Sequence, residues 1–485
     1  MRKIIYLSTL IVLTQLNALA QKETAWWHFG FNSGFNFNSL SNVTASDGTI
    51  VTDMPESISG PLYTEEGCFT LSTYDGQLLM SSDGRTVYDR NGNVMTNGTG
   101  LLGGSSATQS GIVVPKPGSL TQYYIITVPQ ALAAGGVCYS VADLSLNGGL
   151  GEITSKNNVI LSGTVYENIA AVPNTNGKDY WLIHRTAQTF YVWAITSAGI
   201  SATPHQTITS SLITTVTSSY VGEIIVSPDY TKLVTCTWAG YQIISSDFNP
   251  ATGLISDIKV QSFPLYPFGG SFSSNNKYIY VASGYNGSAR AYVNTWDNLR
   301  AGVAFTALSN GITNLRRGMD NRLYGTSALA SAKPTKNIYV VLNPDDGGTN
   351  IKYFPDYLKG TGYLGLPTFA AGFIRIIPKE QPFACTAHNR TYSVEVDLSG
   401  GNAPSQLVWN FGDGTPNITQ TVNSTQSKYS QVHSYPNSGI YTITITPYKG
   451  DGTTIDDITM QANIVNCTLK SNRMTRSELL NSKQQ

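Results

Sequence analysis

Residues 110–129 read SGIVVPKPGSLTQYYIITVP, and the fold turns on what this stretch repeats. It holds a strand opening on small residues, a Pro-Gly turn, and a second strand of aromatic and β-branched residues. A third strand, GVCYSVADL, follows at 136–144. The same unit returns as NIAAVPNTNGKDYWLIHR at 168–185, GEIIVSPDYTKLVTCTW at 222–238 and GGSFSSNNKYIYVAS at 269–283. Their third strands are TFYVWAITSAG, YQIISSDFNPATG and RAYVNTWD. Divergent copies lie earlier, in CFTLSTYDGQLLMSSDGRTVYDRNGNVM, and later, in LRRGMDNRLYGTS with NIYVVLNPDDG. Aligning the second strands at Leu78, Tyr123, Tyr180, Lys232, Tyr278 and Arg322 gives steps of 44 to 57 residues, near the length of a four-stranded propeller blade.

One small antiparallel sheet cannot cover both its faces, so neighbours must stack, and radial closure leaves only short protected edges. The expectation is an all-β chain whose residues 21–376 form a seven-bladed β-propeller, with six blades as the alternative. Ser110-Gly111, Ala170-Ala171 and Gly269-Gly270 suit inner strands, where blades converge and bulky side chains clash. The aromatic second strands pack between blades. The seventh blade is expected from both ends of the region, with strands from YLGLPTFAAGFIRI (363–376) and one from WWHFGFNSGFNFNS (26–39). Trp26 and Trp27 are read as blade packing rather than as a sugar platform.

Composition narrows the function classes. Charged residues are 12% of the chain and the formal net charge is zero, so there is no electrostatic case for nucleic acid. Arg2 and Lys3 precede an apolar run from Ile4 to Leu13, and Ala18-Leu19-Ala20 has the small-x-small form of a cleavage site. Residues 1–20 are therefore read as a signal peptide, with no membrane insertion after cleavage. Of the five cysteines, Cys385 and Cys467 bracket one segment, and in an exported chain that placement suggests a bridge. Two separate buried thiols are the other reading. Cys68, Cys138 and Cys236 are read as free and buried.

Beyond a Pro-containing linker at 377–384, residues 385–468 alternate at period two with turns between, the pattern of an immunoglobulin-like β-sandwich with Trp409 in its core. Residues 469–485 form a polar tail. WNFGDGTP (409–416) and HSYPNSGIYTITI (433–445) resemble the PKD (polycystic kidney disease) domain. The resemblance assigns structural roles to Trp409, Phe411, Gly412, Asp413, Gly414, Tyr435, Gly439 and Tyr441. Asp413 is read as a turn-maker, because calcium needs six to eight oxygens and FGDG supplies one carboxylate. His433 has no acidic orienter nearby in sequence and is read as structural.

The segments WWHFGFNSGFNF, EEGCFTLSTYDG through YYIITV, and YLGLPTF are similar to the N-terminal propeller-like region of large exported Bacteroidetes proteins. In that family an immunoglobulin-like module and a C-terminal sorting domain for type IX secretion commonly follow. The resemblance implies cell-surface or extracellular work and names no catalytic residue. Here the polar tail stands where that sorting domain is expected, which leaves the periplasm as a further location.

Propeller ligands sit on the axis at one mouth. The polar residues read as candidates there are Glu66, Asp83, Arg85, Glu223 and Arg317, with Glu65, Glu167 and Arg316 beside them. Two carboxylates facing each other across the channel would support glycoside hydrolysis. Phosphate-loop, G-x-S-x-G and H-E-x-x-H motifs are absent, and the histidines are scattered. No catalytic residue, metal or cofactor is assigned. Two readings remain: an exported non-catalytic protein that meets protein or glycan partners at the cell envelope, and a carbohydrate-active or lactone-type enzyme with its site at the propeller mouth.

Overall fold

The computed structural model describes residues 22–465 apart from 74–75, 120, 131–132, 177, 217–218, 284–288, 329–332, 372–375, 379–383, 397–403, 424–425, 427 and 456. The leader at 1–20, the tail at 469–485 and most of the linker at 377–384 lie outside the described residues.

The chain is all-β, and seven antiparallel sheets follow one another from residue 26 to residue 354. Blade three shows why. Gly111–Pro115, Gln122–Thr127, Val137–Asp143 and Glu152–Leu161 pair in sequence order, and the turn after the inner strand uses Gly118 at φ 76°. Its second strand is buried on both faces, from Tyr123 to Thr127, because a neighbouring blade covers each side. That is the physical reason its apolar run does not alternate. The other blades begin with inner strands Trp26–Phe29, Phe69–Ser72, Ala170–Pro173, Ile224–Val226, Pro267–Phe272 and Ile312–Arg317. Each inner strand touches the next in order. A single parallel pair, Thr96 with Glu152, joins the outer edges of blades two and three into one eight-stranded sheet.

The hydrophobic clusters lie between blades. One joins blades two, three and four; others join four to five, five to six and six to seven. The last closes the ring: Trp27, Phe29, Phe35 and Phe37 of blade one pack on Tyr324 and Ile338 of blade seven. Trp27 is fully buried there with its indole N–H donated to Thr24, whereas half-buried Trp26 donates to the Gly76 carbonyl. Both tryptophans are thus packing residues.

The closing blade is built differently from the expectation. All three of its strands, Trp26–Phe29, Ser33–Thr44 and Ile50–Ile58, come from the start of the chain. Residues 363–371 contribute no strand. Gly365 and Pro367 explain this: a Cβ at Gly365 would lie 1.6 Å from the Glu66 carbonyl oxygen, and Pro367 has no N–H for a ladder. The segment instead runs across the inner strands, with Leu364 N–H donating to Glu65 O, Thr368 to Cys68 O and Ala371 to Ala171 O. It ties the seventh blade to the second and fourth.

Past the propeller, two sheets face each other. Ile376–Pro378, Arg390–Val396 and Lys428–His433 form one; Ala384–Cys385, Ile458–Val465, Gly439–Tyr448, Gln406–Asn410 and Ile418–Thr421 form the other. The first strand thus comes from the stretch read as the end of the propeller and the linker. Trp409, Phe411, Tyr392, Tyr429 and Tyr435 fill the space between the sheets. Tyr435 donates its hydroxyl to the Phe411 carbonyl at 3.0 Å, and Tyr441 stacks on Tyr435 with ring centroids 4.3 Å apart. Gly439 opens the strand that carries Tyr441, and Gly414 turns the chain at φ 84°. The Cys385–Cys467 bridge lies outside the described residues; Cys385 pairs through its backbone with Val465.

Gly412 has φ 73°, and a Cβ there would come within 2.4 Å of the Thr442 carbonyl oxygen. Gly412→Ala is therefore expected to destabilise the sandwich by roughly 1–3 kcal/mol. Hydrogen exchange of the sandwich strands Gln406–Asn410 and Gly439–Tyr448 across a denaturant series measures it; an unchanged midpoint would show that the turn relaxes freely.

Candidate functional site

An inner strand has a ladder partner on one side only, so its axis-facing N–H and C=O groups need other partners. Side chains supply them. Gln109, just before the inner strand of blade three, accepts from Ile169 N–H at 3.0 Å and Ile224 N–H at 2.9 Å, and donates to Ile224 O at 3.3 Å. One amide thus links blades three, four and five. Glu167 accepts from the backbone and hydroxyl of Thr108 at 3.0 and 2.9 Å. Glu223, fully buried before the inner strand of blade five, accepts from Asn314 Nδ2 at 2.9 Å and Arg316 Nη2 at 2.8 Å. Gly269 in blade six leaves room for that carboxylate, since a Cβ would lie 2.4 Å from Glu223 Cδ.

Beside this polar belt a cavity of about 450 Å³ opens among the inner strands of blades four to seven and residues 368–371, within the size range of small-molecule sites, roughly 300–1,000 Å³. Its apolar wall includes Ile224, Val226 and Phe369; its polar wall includes Ser271, Arg316 and Arg317. Arg316 keeps a buried Nε that meets no acceptor. Burial pulls the Arg317 guanidinium below its ordinary pKa, with Asp345 and Tyr230 acting in the opposite sense. Glu23, 1% exposed, lines the same cavity, as does Tyr230.

The sequence candidates separate into three places. Arg317 lines the cavity, and Arg316 joins it to Glu223. Glu66 lies off the cavity lining in the loop before blade two. Burial, then the nearby Glu167 and Glu65, hold its carboxyl well above the usual range against a hydrogen bond from Ser106. Asp83 accepts from Arg85 N–H and Thr86 N–H at 2.9 and 2.8 Å and makes a turn on which Arg85 is exposed. That pair does not reach the cavity. Sequence reasoning passed over Glu23, Gln109, Tyr230 and Asn314. Tyr230 alone carried a signal, as an aromatic where the turns of blades six and seven have Asn276 and Asn321.

The histidines take structural places. His28 bonds Ser81 Oγ at 3.1 Å, and burial lowers its pKa to about 4. His184 bonds Asn168 O at 2.6 Å and Thr186 Oγ1 at 2.9 Å; burial likewise takes it to about 4, against the Asn168 bond and reinforced by Arg185. His433 corrects the sequence reading, because an acidic orienter is present in space: Nε2 lies 2.8 Å from Asp413 Oδ2, and the ring stacks on Phe411 at 4.0 Å. Asp413 also accepts from Thr415 N–H and Oγ1, so the pair locks the FGDG turn. Cys68, Cys138 and Cys236 are free and buried. Among the described residues no group of three or more His, Cys, Asp or Glu side chains is placed to hold a metal, and no helix is long and apolar enough to cross a membrane.

Fold and site together define a seven-bladed β-propeller with a hydrogen-bonded polar axis, an arginine-lined cavity beside it, and an immunoglobulin-like sandwich behind. No protein-family model and no curated protein matches the chain. Solved structures of propeller-like proteins are similar to it. A Bacteroides fragilis protein assigned as a 6-phosphogluconolactonase has 12% identity, covers 82% of this chain and 96% of its own, and has a TM-score of 0.37. One from Bacteroides uniformis with the same assignment has 13% identity, 82% and 98% coverage, and a TM-score of 0.36. A luciferin-regenerating enzyme has 13% identity, 73% and 98% coverage, and a TM-score of 0.34. At these identities and scores none of them carries its activity to this chain.

Proposed function

We propose that this is an exported, non-catalytic protein of the cell envelope, in which the propeller and a PKD-type sandwich meet protein or glycan partners. One observation carries the reading. The carboxylates that sequence places near the axis are committed to structure or lie off the cavity: Glu223 holds Arg316 and Asn314, Glu167 holds Thr108, and Asp83 holds a turn. Glycoside hydrolysis needs two carboxyl groups about 5–10 Å apart around one bond. Glu23 is the carboxylate among the described lining residues of the cavity, and arginines, not a second acid, accompany it. The leader read at residues 1–20 delivers the chain to the envelope, and the sandwich acts as a spacer or second binding surface.

The mature chain from Gln21 onward, applied to a glycan array and to panels of chromogenic glycosides and lactones, tests this. Retention of a glycan class without turnover is the expected result. Turnover above the rate of a heat-denatured sample would overturn it.

A further inference from the structure

Two features of the cavity are out of keeping with a wall that only has to pack. The first is Arg317. A guanidinium carries five N–H donors, and leaving such donors buried without acceptors is costly. Arg317 lines the cavity half-buried, its side chain hydrogen-bonded to no other described residue, with Asp345 and Tyr230 acting on its charge from nearby. Its neighbour Arg316 gives Nη2 to Glu223 yet leaves Nε buried without an acceptor. The second is Tyr230, which has φ 64° in the turn after the inner strand of blade five. The corresponding turn positions are Gly76, Asn276 and Asn321, the residue types that tolerate this left-handed backbone. An aromatic held there against its preference, on the rim of a cavity, is the kind of stored strain that accompanies binding sites.

We infer that the cavity binds a carboxylate-bearing sugar unit, a hexuronate, with its carboxylate on Arg317 and its ring against Tyr230. Charge selects a carboxylate over a phosphate. Arg316 is already paired with Glu223, Asp345 acts on Arg317 and Glu23 lies in the same wall, so little positive charge is left over and a singly charged group suits the site better than a doubly charged one. Chemistry selects a hydroxylated ring, since Ser271 and Asn321 stand beside the apolar face and Tyr230 supplies a flat surface. The inference rests on the glycan-binding reading above and names its ligand class. The unit has two sources, a free sugar acid or a residue within an acidic polysaccharide.

Titration calorimetry on the mature full-length chain tests the site, with free galacturonate, an oligogalacturonide, neutral methyl glucoside, acetate and inorganic phosphate as probes. Galacturonate is expected to bind at least about tenfold more tightly than methyl glucoside, and Arg317→Met to weaken it by about tenfold or more. Tyr230→Phe keeps the ring and its packing on the cluster between blades four and five, whereas Tyr230→Asn removes both, so galacturonate is expected to weaken in Tyr230→Asn and to hold within about threefold in Tyr230→Phe. Oligogalacturonide bound more tightly than the monomer assigns the source to a polysaccharide, and equal affinity assigns it to the free acid; both support the site. Acetate or phosphate binding as tightly as galacturonate, or galacturonate binding unchanged in Arg317→Met, overturns it. An overturned site with a positive glycan array leaves the non-catalytic reading standing, whereas turnover of the bound sugar sinks that reading and leaves the carboxylate site in place.

Discussion

Replacing Glu223 by Leu is expected to lower the stability of the propeller by about 3–5 kcal/mol, although the residue lies in the middle of no sheet. The carboxylate is fully buried and meets the side chains of Asn314 and Arg316, both on the inner strand of blade seven, and the N–H of Gly270 in blade six at 3.4 Å. Leu removes the acceptor and leaves a cation and an amide facing it without a partner. The loss comes mainly from that orphaned charge rather than from the intrinsic strength of the pair. Glu223→Leu combined with Arg316→Met is therefore expected to recover much of the loss, because an apolar pair of similar size replaces an ionic one at little net cost. Gly269→Ala supplies the converse: its Cβ collides with the carboxylate, so the change is expected to cost roughly 1–3 kcal/mol beside Glu223 and less beside a shorter residue. Chemical denaturation of the single and double variants gives the coupling directly. Additive losses would mean that the ion pair does not act as a unit.

The repeated blades were legible because a propeller strand buried on both faces leaves a run of aromatic and β-branched residues that does not alternate, as from Tyr123 to Thr127 and from Tyr180 to Arg185. Turn chemistry then spaced them. The closure of the ring was not legible. Strand propensity in YLGLPTF says nothing of whether its N–H groups meet a neighbouring strand or scattered carbonyls, and the decision rests on the approach of Gly365 to Glu66, a tertiary contact. In the sandwich, WNFGDG and HSY were readable as turn and core, but the 2.8 Å contact of His433 with Asp413 joins residues twenty positions apart, one in the turn after Gln406–Asn410 and one at the end of Lys428–His433.

The site was legible only in part. Arg316 and Arg317 stand at the end of an inner strand, and a blade pattern places that end near the axis. The same pattern cannot say which carboxylates occupy the same end of the channel. Glu66 and Asp83 sit in loops whose direction depends on hairpin geometry, and Asp83 bonds two turn amides next to its own position. Glu23 precedes the first blade and belongs to no repeat, so periodicity never pointed to it. Gln109 and Asn314 look like ordinary polar residues until the inner edges they serve are known to lack ladder partners.

Acidification is expected to weaken the propeller through its two buried imidazoles. His28 and His184 are 3% and 0% exposed, and both titrate near 4 in the folded chain against 6.5 when unfolded. Between those values the unfolded chain binds protons that the folded chain refuses, so stability rises with pH and falls as pH is lowered from about 6.5 to about 4. Each histidine contributes a loss of about 2 kcal/mol between pH 7.5 and pH 5, or about 4 kcal/mol together. Glu66 and Asp320 work in the opposite sense, because burial raises both and the folded state takes up their protons first. The difference between variants therefore isolates the effect better than the parent curve does. His28→Gln and His184→Gln, each compared with the parent by urea denaturation at pH 7.5 and pH 5, should flatten the pH dependence by about 2 kcal/mol apiece, whatever either costs at neutral pH. A parent and double variant with parallel pH profiles would show that neither imidazole is kept neutral by the fold, and that the space between blades one and two around His28 and Ser81 admits water.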